Sequence, residues 1–294
     1  MKKNILVVNP ISGGMDKATM LSAINDFAAM ENIELIIYTT SGNNDNEKIA
    51  QLYNKHQPDR VIVAGGDGTI KLVAEALEQY DVVLGILPAG SANGLATDLG
   101  LPDTIEENLS IAFNNPAIAL DMISINGKKC IHLSDLGLNA LLIKNYENGN
   151  TRGMLGYAMQ AISTLSEQQD PFTATITTDD RSIETVARMV VVANSNKYGT
   201  GVTINPDGLM TDGKFEIVIL KNLDLIVFGK IISGYMPVES GDVEIISTDR
   251  ATITTDVPVD FQIDGEYDGL VTKLDVRILP AQMKIATIPE EQQP

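Results

Sequence analysis

The sequence predicts an α/β plus β chain: an N-terminal parallel-sheet α/β domain followed by a C-terminal, mostly antiparallel β-sandwich domain. Two observations carry this. Over the first third, short apolar runs alternate with stretches of helical period, the pattern of repeated β-α-β units. After about residue 120 the runs become alternating or β-branched and are separated by hairpin-type turns. A length of 294 residues is enough for two cores.

The elements follow in order. Residues 4–8 (Asn-Ile-Leu-Val-Val) form a continuous apolar run, as expected of a parallel strand buried on both faces. Residues 20–30 have helical spacing, with Leu21, Ile24, Phe27 and Ala28 on one side. A strand is expected over 34–39, a helix over 46–54, a strand over 60–64, a helix over 69–80 and a strand over 82–87. Strands are then expected over 119–125, 129–135, 172–178, 185–193, 215–220, 244–248 and 251–255, with Asn126-Gly127 marking a hairpin. Helices are expected over 155–165 and 224–235. The change of pattern places a domain boundary near 120–127.

Composition narrows the function classes. Against 39 acidic residues stand 21 basic ones, a net charge of −18, which disfavours nucleic acid as a partner and broad attraction to an anionic leaflet. Any lipid contact is then local. No run reaches the ~18 apolar residues of a membrane helix. The apolar stretch after Met1-Lys2-Lys3 reads as a first strand and is too short for a signal peptide, so the cytoplasm is the expected compartment. The single cysteine, Cys130, excludes an internal disulfide and a cysteine-built metal site.

The chemistry concentrates in glycine-rich loops. Gly65-Gly66-Asp67-Gly68-Thr69 lies between a buried strand and a helix. Glycines there let backbone N–H groups approach a phosphate, and the helix adds the positive end of its dipole. Asp67 offers a carboxylate to Mg²⁺ or to a reacting hydroxyl; an N-capping Asp in a tight turn is the plainer reading of that motif taken alone. Asn9-Pro10-Ile11-Ser12-Gly13-Gly14 and Pro88-Ala89-Gly90-Ser91-Ala92-Asn93-Gly94-Leu95-Ala96 also follow strands. All three fall on the carboxyl edge of the expected sheet, where α/β folds bind ligands. Far along the chain, Phe261-Gln262-Ile263-Asp264-Gly265-Glu266 sets two carboxylates at a turn.

Taken together in this order, these segments and Asp212-Gly213 resemble the diacylglycerol-kinase catalytic-domain family, which includes bacterial lipid kinases and the diacylglycerol, sphingoid-base and ceramide kinases. The nucleotide domain of that family is related to NAD kinases and phosphofructokinases. The resemblance implies a nucleotide-binding kinase domain over 1–123 plus 276–294, and a β-sandwich domain over 124–275 carrying the second half of the active site. It implies that Asn9, Pro10, Ile11, Ser12, Gly13, Thr40, Gly65, Gly66, Asp67, Gly68, Thr69, Ile70, Lys71, Leu72 and Ser91 line ATP. It further implies that Glu266 or Asp264 serves as general base with Asp67 beside it, and that Leu209, Asp212 and Lys214 hold a metal, with Mg²⁺ as cofactor. Two departures stand out: Ser91 and Gly94 replace the Thr and Asp of the usual GTxND segment, and Ile70-Lys71-Leu72 replaces Leu-Asn-Glu.

The activity implied is transfer of the γ-phosphoryl group of ATP to a lipid hydroxyl at a membrane surface, with diacylglycerol giving phosphatidate as the leading case. Another lipid kinase (sphingoid-base kinase among them), an NAD-kinase-like enzyme and a weakly catalytic nucleotide-binding regulator stay open as alternatives, as does a homodimer. The implied location is cytoplasmic, peripheral at the inner membrane face. His56 and His132 read as structural or surface residues. Tyr157 and the Met154, Leu155, Ile162 and Leu165 stripe read as a packed helix face rather than a lipid tunnel; Lys17, Lys144, Lys197 and Arg152 read as surface charges, with local membrane or phosphate contacts as the alternative.

Overall fold

The computed structural model describes residues 1–13, 17–91, 93–137, 140, 170–197, 203–222 and 241–288. The helices expected over 155–165 and 224–235 lie outside these residues, as do Gly14, Ala92, Lys144 and Arg152. The chain divides into two compact units, one of Met1–Leu120 with Ala281–Pro294 and one of Asp121–Pro280.

Unit 1 is built from β1 (Lys2–Val8), α1 (Lys17–Met30), β2 (Ile33–Thr39), α2 (Asp45–His56), β3 (Arg60–Gly65), α3 (Asp67–Ala76), β4 (Val83–Pro88), α4 (Gly94–Asp98) and α5 (Ile105–Asn114). Strands β4, β3, β1 and β2 pair in that order and all in parallel. The fully apolar runs are explained by helices on both faces. Leu6, Val8, Ile62, Ala64 and Leu87 pack with Met20, Ile24 and Ala28 of α1 and Leu109, Ala112 and Phe113 of α5. Helices α2 and α3 neighbour each other and reach β1 and β3. Gly85 of β4 lies against α5 so closely that a Cβ would stand 2.5 Å from the Ala112 carbonyl oxygen. The helix expected to start at Thr69 starts at Asp67 and ends at Ala76.

The second unit begins within β5 (Ala117–Ile125) and continues through β6 (Lys128–Cys130), β7 (Leu133–Gly137), β8 (Phe172–Thr177), β9 (Ser182–Ala187), β10 (Met189–Ala193), β11 (Phe215–Leu220), β12 (Val243–Thr248), β13 (Arg250–Ile263) and β14 (Glu266–Ala286). Order β12-β11-β10-β7-β13-β14 is antiparallel, with β8 also on β13 and β9 on β8. Strand β10 is buried on both faces. Val190 and Val192 enter one apolar cluster with Phe215, Ile217, Phe261 and Ile263, while Met189, Val191 and Ala193 enter another with Val218 and Leu220.

Three strand readings need correction. The single strand expected over 129–135 is two, broken at Ile131-His132, whose N–H groups leave the ladder for the Asp264 carboxylate. The single strand over 185–193 is also two, because the chain changes partners at Arg188: β9 pairs with β8, β10 with β7 and β11. The short strand over 251–255 runs on to Ile263, and β14, carrying Asp, Lys, Arg and Gly, was not expected at all before 276. The end of β14 lies in unit 1, where Lys284 and Ile285 register in parallel with Val83 and Leu84 of β4.

Candidate functional site

The carboxyl ends of β1, β3 and β4 bring the three glycine-rich segments together within unit 1. Backbone bonds continue past the strand ends: Asn9 N–H donates to the Ala64 carbonyl at 3.1 Å, and Ala89 N–H to the Gly65 carbonyl at 2.9 Å. Absent side chains allow the approach. A Cβ on Gly90 would stand 2.5 Å from the Gly66 Cα, and one on Gly13, at φ +58°, 2.6 Å from the Ala89 carbonyl oxygen. No larger residue fits either position without moving backbone.

Polar side chains fix this arrangement. Asn9 Nδ2 donates to Thr69 Oγ1 at 3.1 Å, joining the first loop to α3, and Ser12 Oγ donates to the Asn9 carbonyl at 3.1 Å. Thr69 is buried and Ile11 fully exposed; Ser12, Gly66, Asp67, Lys71 and Leu72 are half-buried. Pro10, Gly13, Gly68 and Ser91 are exposed, whereas Gly65 and Ile70 are buried. Thr40, just after β2, donates its N–H to the Val8 carbonyl at 2.9 Å, beside the first loop.

Asp67 is placed by a bond the sequence did not suggest. Its two carboxylate oxygens accept the N–H groups of Gly94, at 2.8 Å, and Leu95, at 2.9 Å. It thus caps α4 and fastens the third loop to α3. Asn93 belongs to the third glycine-rich segment. It sits at φ 54° and brackets Gly90, accepting that residue's N–H at 2.7 Å and donating to its carbonyl at 3.2 Å. Asn tolerates this left-handed conformation better than most residues, the one local signal that could have singled it out.

A second polar knot holds the segment after β2. Asp45 is buried and accepts the Ser41 and Gly42 N–H groups and the Ser41 and Tyr38 hydroxyls. Burial by itself would raise its carboxyl, but these donors outweigh it and hold the pKa at about 2; burial and Asp45 push the Tyr38 hydroxyl up to about 12. A cavity of about 370 Å³ also lies in unit 1, lined by Leu77, Tyr80 and Met283 at the opening end of β4 rather than at the loops.

In unit 2, Asp264 and Gly265 have φ 51° and 85°, the two-residue hairpin conformation that Asp-Gly favours, between β13 and β14. The Asp264 carboxylate turns back onto the β6–β7 break, accepting the His132 N–H at 2.9 Å, the Ile131 N–H at 3.2 Å and the Cys130 thiol at 3.2 Å. Gly265 N–H donates to Gln262 Oε1 at 2.7 Å, and Gln262, itself buried, donates to Asp135. Glu266 opens β14 with its side chain exposed. The structure therefore separates the two carboxylates by role: Asp264 shapes the turn and Glu266 faces solvent.

Leu209, Asp212 and Lys214 are exposed on one loop. Asp212 Oδ1 accepts the Lys214 N–H at 3.0 Å, and Gly213 N–H donates to Asp121 Oδ2 at 2.8 Å, so two carboxylates flank Gly213. Among the described residues no three His, Cys, Asp or Glu side chains group as a metal site. An oxygen set of carboxylate and backbone carbonyls still suits a hard cation such as Mg²⁺ or Ca²⁺, so the loop's chemistry fits one. His132 is buried, with its carbonyl accepting from Asn194, and Cys130 is a buried free thiol. Tyr157 and the Met154, Leu155, Ile162 and Leu165 stripe lie outside the described residues.

A parallel α/β unit with glycine loops gathered at its carboxyl edge, joined to an antiparallel β unit, matches two family models. Residues 3–125 match the diacylglycerol kinase catalytic domain, and 135–287 the YegS C-terminal NAD kinase beta sandwich-like domain. The chain belongs to this lipid-kinase family. Among its relatives is the diacylglycerol kinase of Bacillus subtilis (strain 168), 26% identical over 279 residues and 92% of each chain. Lipid kinase YegS of Escherichia coli (strain K12) is 26% identical over 240 residues, 78% of each chain. A diacylglycerol kinase structure from Bacillus anthracis str. Sterne shares the fold, with TM-score 0.76, 21% identity, and 98% of this chain and 97% of that one covered. No helix among the described residues is long and apolar enough to cross a membrane.

Proposed function

We propose that this protein is an ATP-dependent lipid kinase that transfers the γ-phosphoryl group to a lipid hydroxyl, with diacylglycerol as acceptor and phosphatidate as product. The observation that carries the reading is the contact of the three glycine loops in unit 1, with Gly66 against Gly90 and Gly13 against Ala89, at the start of α3. Such a surface offers backbone N–H groups and a helix dipole to a polyphosphate. Family membership and the Bacillus subtilis relative, matched along 92% of both chains, support a lipid acceptor.

In this reading the nucleotide is held by unit 1. Asn9 to Gly13 and Gly65 to Leu72 line the phosphates, with Thr40 and Ser91 at their margins. Asp67 holds the third loop in place through Gly94 and Leu95. Glu266 accepts the proton as the lipid oxygen forms its bond to the γ-phosphorus and the bond to the bridging oxygen breaks, releasing ADP. It is preferred over Asp264, whose carboxylate already takes two backbone N–H groups and a thiol. Mg²⁺, when bound, neutralises phosphate charge. Asp212, with carbonyls of Leu209 and Lys214 and with Asp121 alongside, would hold a structural cation.

The test is an acceptor panel with ATP and Mg²⁺: vesicles containing diacylglycerol, vesicles containing a sphingoid base, NAD, and no acceptor. The proposal requires ADP release that depends on diacylglycerol vesicles. Phosphorylation of NAD alone, or nucleotide binding without any turnover, contradicts it and favours a nucleotide kinase or a regulator respectively.

A further inference from the structure

We infer that Lys17 is a positioning residue of the nucleotide site, whose ammonium ties the first glycine loop to the third and presents a fixed positive charge to the phosphates. The inference rests on reading unit 1 as the nucleotide site. Lys17 is the first residue of α1, a place where surface charge is the ordinary expectation. Its Nζ instead donates to Ser12 Oγ and to the Ala89 carbonyl, each at 3.0 Å. Those two atoms belong to different loops. Ala89 is also the residue whose carbonyl Gly13 approaches, so the first and third loops meet at one oxygen and Lys17 closes the junction.

The choice of partners is informative. Lys128, Lys221 and Lys284 pair with carboxylates, whereas Lys48, like Lys17, takes a hydroxyl and a carbonyl, but both of those belong to a single loop. Lys17 spends two donors on a neutral hydroxyl and a neutral carbonyl, and no carboxylate among the described residues pairs with it. Partial burial disfavours that charge and lowers its pKa. In a chain of net charge −18 a carboxylate partner would be easy to supply. A partly buried cation held by neutral partners is stabilised when an anion arrives.

Chemistry gives the cation a task. The sequence has no GxxxxGK[ST] segment, so no lysine is built into a glycine loop in the P-loop manner. Backbone N–H groups contribute partial charges only, whereas an ammonium contributes a full one and has a third donor to give. Supplied from the helix behind the first loop, it replaces what that loop lacks.

The experiment is equilibrium titration of the full chain and of Lys17→Met and Lys17→Arg with adenosine, ADP, ATP and inorganic tripolyphosphate. Removing a charged hydrogen-bond donor should weaken ATP and tripolyphosphate about 10- to 100-fold in Lys17→Met. The loss should grow from adenosine, through ADP, to ATP, and Lys17→Arg should recover most of it. Equal losses for adenosine and ATP, or an Arg variant as weak as the Met variant, would make Lys17 a loop staple only and overturn the inference. Unchanged affinities in Lys17→Met would overturn it too. A parent protein that binds none of the four ligands refutes the nucleotide reading itself, and this inference falls with it.

Discussion

Replacing Gly90 by alanine perturbs the loop junction with a single carbon atom. The new Cβ would stand 2.5 Å from the Gly66 Cα, 3.2 Å from the Gly66 nitrogen and 2.9 Å from Asn93 Oδ1. Ordinary carbon–carbon contact begins near ~3.5 Å, and the first two of these are backbone atoms that no side-chain rotation can move: the loops must part by about 1 Å. Strain of this sort costs about 1–3 kcal/mol. Its effect on chemistry should be larger, since a displacement of ~1 Å of positioning groups lowers rates about 10²-fold. Steady-state kinetics with ATP and diacylglycerol vesicles should show that fall in kcat/KM, and thermal unfolding a modest loss of stability. A Gly90→Ala enzyme with parental kcat/KM and parental melting would refute the claim that the Gly66–Gly90 contact shapes the phosphate site.

Other outcomes follow from named bonds. Glu266→Gln should lower kcat about 10²- to 10⁴-fold with little change in KM for ATP, measured in the same assay; full activity would remove Glu266 as the base. Asp264→Asn should instead act on stability, because an amide NH₂ would face either the Ile131 or the His132 N–H; unchanged melting together with low kcat would reverse the two roles. Asp67→Asn should loosen the third loop and lower the melting temperature, since one of the Gly94 and Leu95 N–H groups loses its acceptor; a variant as stable as the parent would contradict this. Asp45 titrates at about 2 when folded against an ordinary 3.8, so its contribution is fully present above pH ~4 and is lost as pH falls toward 2. Acid unfolding of Asp45→Asn should show a weaker dependence over that window, and an unaltered profile would contradict the assignment.

Much of unit 1 was legible because burial on both faces leaves a plain mark: residues 4–8 and 60–64 are uninterrupted apolar runs, and the glycine loops follow them directly. The β5–β6 hairpin at Asn126-Gly127 was legible for a different reason, since both residues take positive φ. Strand β14 was not, because its exposed positions carry Asp, Lys and Arg, and its pairing with β13 decides its conformation. The breaks at Ile131-His132 and Arg188 were equally hidden. One depends on a carboxylate 132 residues away, the other on a change of strand partner. At the site, the residue types were readable from motif order, but their partners were not. Asp67 reads as a metal or hydroxyl ligand until its carboxylate is seen on two N–H groups 27 and 28 residues further on. For Lys17 the sequence leaves surface charge and a local phosphate or membrane contact side by side, and its bond to the Ala89 carbonyl is not legible there.

The central claim is that the glycine loops of unit 1 hold ATP for transfer to a lipid. Its most direct test follows the γ-phosphoryl group itself: ATP labelled at that position, Mg²⁺, vesicles containing diacylglycerol, and extraction of the lipid. The account predicts label in phosphatidate with the parent protein and its near loss with Gly90→Ala and Glu266→Gln. Label that stays in ATP and inorganic phosphate, or that enters a water-soluble acceptor such as NAD, would contradict it.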